Sequence, residues 1–80
     1  MVDFRKCSAV VGPNTKQLWV YDEENEMFID PPKETLEEID GKTKYGDWSE
    51  KERLLDEIIQ TNPDWLQDTD YSYPEYSLDI

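Results

Sequence analysis

The sequence predicts a small α+β fold, an antiparallel sheet of three to four strands packed against one main α-helix, with an acidic C-terminal segment. Three observations lead there. The first thirty residues hold short runs of β-forming side chains separated by turn signals. Residues 48–60 repeat apolar side chains at helical spacing. A chain of 80 residues has room for one modest core, and three Trp, five Tyr and two Phe can fill it with few side chains.

Residues 7–11 (CSAVV) read as the first strand, stopped by the turn signal GPNT at 12–15. Residues 17–21 (QLWVY) read as the second, with Leu18 and Val20 on one face and Trp19 and Tyr21 on the other. The tract 22–25 (DEEN) suits a hairpin connection, and residues 26–29 (EMFI) a returning strand halted by Asp30-Pro31-Pro32. Asp30 is placed to cap a short helix with Pro31 at its first position, Leu36 and Ile39 on one face, and Gly41 as its stop.

The stronger helix spans about 48–60. Ser49 and Glu52 match a capping box, and Leu54, Leu55, Ile58 and Ile59 form its stripe. Asn62 and Pro63 are spaced to cap and open one further helical turn, which would fold Trp65 and Leu66 back onto the core. The expected core is Leu18, Val20, Phe28, Leu54, Leu55, Ile58, Ile59 and Trp65. Residues 1–66 are expected to form the domain, with 67–80 as an edge strand or tail. In the strand reading Pro74 would confine it to a sheet edge.

Charge is the outstanding feature: twenty acids face eight bases, a formal net charge of −12. It is unevenly spread, with nine acids against Lys33 alone in residues 22–40 and seven acids without a base in 54–80. Such a balance excludes nucleic-acid binding through a basic footprint and disfavours anionic membranes. A protein with a basic cleft is the partner that it favours.

Histidine is absent and Cys7 is the single cysteine, so an internal disulfide, a Cys/His zinc site and histidine acid–base chemistry are all excluded. Ser8 and Ser49 have no histidine to activate them, and no glycine loop is built to cradle phosphate. No cofactor or metal is implied, and no enzymatic activity is expected. Because the opening residues lack a signal-length apolar run and no segment is long enough to span a bilayer, a cytoplasmic setting is expected.

Two acidic groups and the C-terminal segment are the candidate partner-binding residues. If the tract from Asp22 to Glu26 is extended, Asp22, Glu24 and Glu26 form a row of carboxylates about 6.8 Å apart, comparable to successive phosphates on a nucleic-acid strand, with Glu23 beside them. A solvated hairpin tip is the plainer expectation for such a tract. On a helix Glu34 would share a face with Glu37 or Glu38, with only Lys33 nearby to offset the repulsion. The third group interleaves Asp68, Asp70, Glu75 and Asp79 with Tyr71, Tyr73 and Tyr76, setting rings beside charges much as bases sit beside phosphates.

In size, acidity and lack of a catalytic constellation the chain resembles the DNA-mimic proteins of bacteriophages and other mobile elements, a class that includes inhibitors of restriction enzymes, CRISPR effectors and uracil-DNA glycosylase. The likeness is one of overall character and assigns no residue a role. It implies an inhibitor that occludes a basic cleft, acting in a host cytoplasm if phage-encoded, as in counter-defence or host takeover. Two other classes remain open: a small acidic adaptor docking through an exposed aromatic patch, and a subunit whose C-terminal segment adds a strand to a neighbour's sheet.

Overall fold

The computed structural model describes residues 2–12 and 16–67 and the backbone of 72–74. It is an α+β fold. A 3-10 turn at Phe4–Lys6 leads into β1 (Cys7–Val11), followed by β2 (Leu18–Asp22) and β3 (Met27–Ile29). Three helices come next, α1 (Lys33–Lys42), α2 (Trp48–Gln60) and α3 (Asp64–Gln67), and β4 (Ser72–Pro74) returns to the sheet. The strands are antiparallel in the order β1-β2-β3-β4, so Pro74 does lie on an edge strand.

Register fixes which face each side chain takes. Cys7 pairs with Asp22, Ala9 with Val20 and Val11 with Leu18, while Val20 also pairs with Ile29. Directly opposed residues share a face, so these form the face covered by the helices. With Ile39, Leu55, Ile59 and Leu66, most of them make up the buried cluster. Tyr21 pairs with Phe28 on the other face, their ring centroids 5.1 Å apart, and Trp19 meets Phe28 edge-on at 6.5 Å. Phe28 is therefore buried as expected, but in a separate aromatic layer.

Leu18, Val20, Leu55 and Ile59 are buried as the sequence indicates, whereas Leu54, Ile58 and Trp65 only flank the core. Leu66, fully buried, holds the position expected of its neighbour Trp65.

Local chemistry explains each departure in the helices. The first does not begin at Pro31, because a residue before proline is disfavoured in α geometry and Pro31 precedes Pro32. Pro32 is extended, and α1 starts at Lys33. It also runs through Gly41 to Lys42 and stops at Thr43, whose hydroxyl donates to the Ile39 carbonyl at 2.8 Å. Helix α2 starts at Trp48 but is capped by Asp47, which accepts the Glu50 N–H at 3.3 Å, not by Ser49. Trp48 and Lys51 then fall on the inward stripe with Leu55 and Ile59, and that burial selects the earlier cap. Asn62 ends α2 rather than opening α3. It takes the left-handed conformation (φ +54) common just after a helix, and its N–H donates to Ile59 at 3.0 Å.

At the other edge of the sheet, the Ala9 N–H donates to the Asp56 carboxylate of α2 at 2.7 Å. An unpaired edge invites pairing with another chain, so this bond both fastens α2 to β1 and blunts the edge. Asp56→Ala should cost about 1–3 kcal/mol in urea unfolding and raise self-association in light scattering. No helix among the described residues is long and apolar enough to cross a membrane.

Candidate functional site

The acidic turn between β2 and β3 is built around Asp22. That residue is 1 % exposed. One carboxylate oxygen accepts the Glu24 N–H at 3.1 Å and the Asn25 N–H at 3.4 Å, and the other accepts from Asn25 Nδ2 at 2.7 Å. This is the turn that aspartate forms with the backbone two and three residues on. Asp22 is thus the anchor of the turn and no part of its surface: the hairpin connection expected of this tract forms, and the alternative, an extended row of Asp22, Glu24 and Glu26, does not. The tract is not a strand, because the buried carboxylate draws the following N–H groups round it.

What the turn does expose is Glu23, Glu24 and Glu26. None of the three forms an ion pair among the described residues. Lys6, across the ladder, accepts the Glu23 N–H at 3.0 Å through its carbonyl, but its ammonium is in no ion pair with them. Glu26 sits at φ +54, where Gly or Asn is more at ease and another residue is strained by on the order of 1 kcal/mol.

The helical acids are arranged differently. Glu37 pairs with Lys33 at 3.9 Å and Glu38 with Lys42 at 3.1 Å, both one helical turn apart. Asp40 pairs with Lys51 at 3.1 Å, and Arg53 bridges Glu50 and Glu57. The expectation of uncompensated repulsion along α1 is therefore corrected: of Glu34, Glu37 and Glu38, only Glu34 lacks an ion pair among the described residues. Lys42 lies as close to Glu38 in sequence as Lys33 does to Glu37, and was missed because the helix was expected to stop at Gly41.

Of the C-terminal candidates, Asp68, Asp70, Tyr71, Glu75, Tyr76 and Asp79 lie outside the described residues, and Tyr73 is described by its backbone alone. Pro74 pairs with Met27, Tyr73 with Phe28 and Ser72 with Ile29. The described part of this segment thus runs toward the acidic turn and ends beside it.

Cys7 packs inside the sheet with its thiol 3.5 Å from the Asp3 carbonyl oxygen. Burial first, then the Asp22, Asp3 and Glu24 carboxylates, push its pKa up to about 12. A thiol held protonated and covered is a poor nucleophile. Its modification by a thiol reagent at pH 8 should therefore be much slower in the native protein than in urea, followed by absorbance of the released chromophore.

Sequence reasoning passed over Lys51. Its side chain is 6 % exposed and donates to Asp40 at 3.1 Å and to the Thr43 hydroxyl at 2.6 Å, tying α2 to the end of α1. The signal was present in the stripe, since Lys51 precedes Leu55 by four residues and Ile59 by eight. No group of three or more Cys, Asp or Glu among the described residues is placed to hold a metal ion. No protein-family model, curated protein or solved structure matches this chain.

Proposed function

We propose that the protein is a non-enzymatic inhibitor that mimics nucleic acid, setting fixed carboxylates into the basic cleft of a DNA- or RNA-binding enzyme and occluding it. The observation that carries this reading is the β2–β3 turn. Glu23, Glu24 and Glu26 stand exposed without ion pairs among the described residues, in a protein that pairs most of its helical acids. The buried Asp22 fixes the backbone that presents them, and Glu26 is kept where a smaller residue would be less strained. Preorganised charge of this kind steers association, and release of counterions makes the affinity fall with salt. A setting in the host cytoplasm, as in phage counter-defence or host takeover, belongs to the same proposal.

Its test is capture from a bacterial lysate on immobilised protein, eluted with rising salt and read by mass spectrometry. Recovery of one nucleic-acid enzyme, displaced by added DNA or RNA, is the expected result. A partner indifferent to nucleic acid would overturn the mimic reading in favour of an adaptor. The adaptor has one specific observation behind it: Tyr45, fully exposed on the loop between α1 and α2. Tyr45→Ala would then abolish capture while neutralising the turn left it intact.

A further inference from the structure

The loop that joins α1 to α2 and the approach to β2 enclose a cleft of about 470 Å³, lined among others by Lys16, Asp40, Thr43, Tyr45, Trp48 and Lys51. Its volume lies in the range of small-molecule sites. It sits at the opposite end of β2 from the acidic turn, since Lys16 precedes that strand and the turn follows it. Lys16 and Lys51 against Asp40 leave its lining one net positive charge, in a chain whose net charge is −12.

Lys51 has an evident structural task in joining α2 to Asp40 and Thr43, but that task leaves part of it unused. An ammonium has three N–H donors. Two are taken, and the third has no acceptor among the described residues although the residue is 5 % exposed. The ring of Trp48 lies 5.9 Å from Nζ, a cation–π contact that stabilises the charge without satisfying a hydrogen-bond donor. A donor left over at the wall of a cleft is available to an anion, and the pairing is worth more in that half-enclosed setting than in bulk water. Lys16 adds a second, exposed cation. Tyr45 and Trp48 add two rings, of which Tyr45 projects fully into solvent.

We propose that this cleft binds a small aromatic anion, a planar ring bearing one carboxylate or phosphate. The anion would take the remaining Lys51 N–H and the Lys16 ammonium, and the ring would stack against Trp48 and Tyr45. Asp40, two-thirds exposed, remains paired to Lys51 and repels a ligand with further negative charge, which favours a singly substituted ring. This site is independent of the mimic reading, because it uses none of the acidic turn.

The test is a titration of the ¹⁵N-labelled full chain with indole-3-acetate and, separately, with adenosine 5′-monophosphate. The expected result is saturable shifts at Lys16, Tyr45, the Trp48 indole and Lys51, with a dissociation constant below about 1 mM for at least one probe. Lys16→Gln and Tyr45→Ala change exposed side chains with little or no change in net charge, so each should retain a melting temperature near wild type while weakening binding about tenfold. Absence of saturable shifts with both probes would overturn the proposal. So would affinity unchanged in both variants, because binding would then lie elsewhere.

Discussion

Leu55→Ala should cost about 2–5 kcal/mol, the range for emptying a fully buried leucine site. Leu55 is 0 % exposed, on the helix face that meets the sheet, one turn before Ile59 and in one buried cluster with Val20 and Leu66. A domain of 80 residues has a total stability of roughly 4–12 kcal/mol. One side chain therefore carries a large share of it. Self-repulsion from a net charge of −12 narrows the margin further at low ionic strength. Urea unfolding of the variant should give a midpoint far below wild type, and circular dichroism in dilute buffer should show partial unfolding that added salt reverses. A loss under about 1 kcal/mol would mean that α2 can move inward to fill the space, and that the core is less closely packed than the burial of Leu55 implies.

The elements were legible because they follow from periodicity. Alternation in Leu18, Trp19, Val20 and Tyr21 set the faces of β2, and Leu55 and Ile59 at helical spacing gave α2 its inward stripe. The sheet's small members were harder to see. Cys7 and Ala9 belong to the core because register brings them opposite Asp22 and Val20, a long-range pairing no local window contains. Ile39 was legible as part of an amphipathic face, yet it is buried to 1 % exposure because Lys51 and Thr43 fasten its helix, contacts that join residues eight and eleven apart.

Charge was the least legible property at the level of single residues. Composition gives the net sign, but whether a carboxylate is exposed, paired or buried depends on where the fold brings its neighbours. Three residues in one acidic run illustrate this. Asp22 is a buried turn anchor, Glu24 is exposed and without an ion pair among the described residues, and Glu38, on the next helix, is paired to Lys42. Sequence patterning made all three candidate partner-binding residues, Asp22 and Glu24 in one acidic group and Glu38 in a second. Of the three, only Glu24 is both exposed and without an ion pair among the described residues, a state that it shares with Glu23, Glu26 and Glu34.

That difference sets up the most decisive comparison, between two charge-neutralising changes in the same turn. Glu23, Glu24 and Glu26 replaced together by Gln should leave the melting temperature at or above wild type, because three repelling charges are removed and no hydrogen bond is lost. If the mimic proposal holds, the same variant should bind the captured enzyme about 10–1,000-fold more weakly, since each charge-assisted contact contributes on the order of 1 kcal/mol. Asp22→Asn should do the reverse. It loses the charge that accepts two backbone N–H groups and sets an amide against Asn25 Nδ2 where a carboxylate oxygen accepted, at a cost of about 1–3 kcal/mol. Its binding, measured by calorimetry at a temperature where it is still folded, should fall by less than that of the glutamine variant, because Asp22 holds the turn but presents no charge of its own to a partner. If the glutamine variant binds as well as wild type, the exposed carboxylates serve solubility alone and the inhibitor proposal falls. If Asp22→Asn loses binding without losing stability, the buried residue reaches the partner after a rearrangement of the turn, and the surface is not fixed before binding.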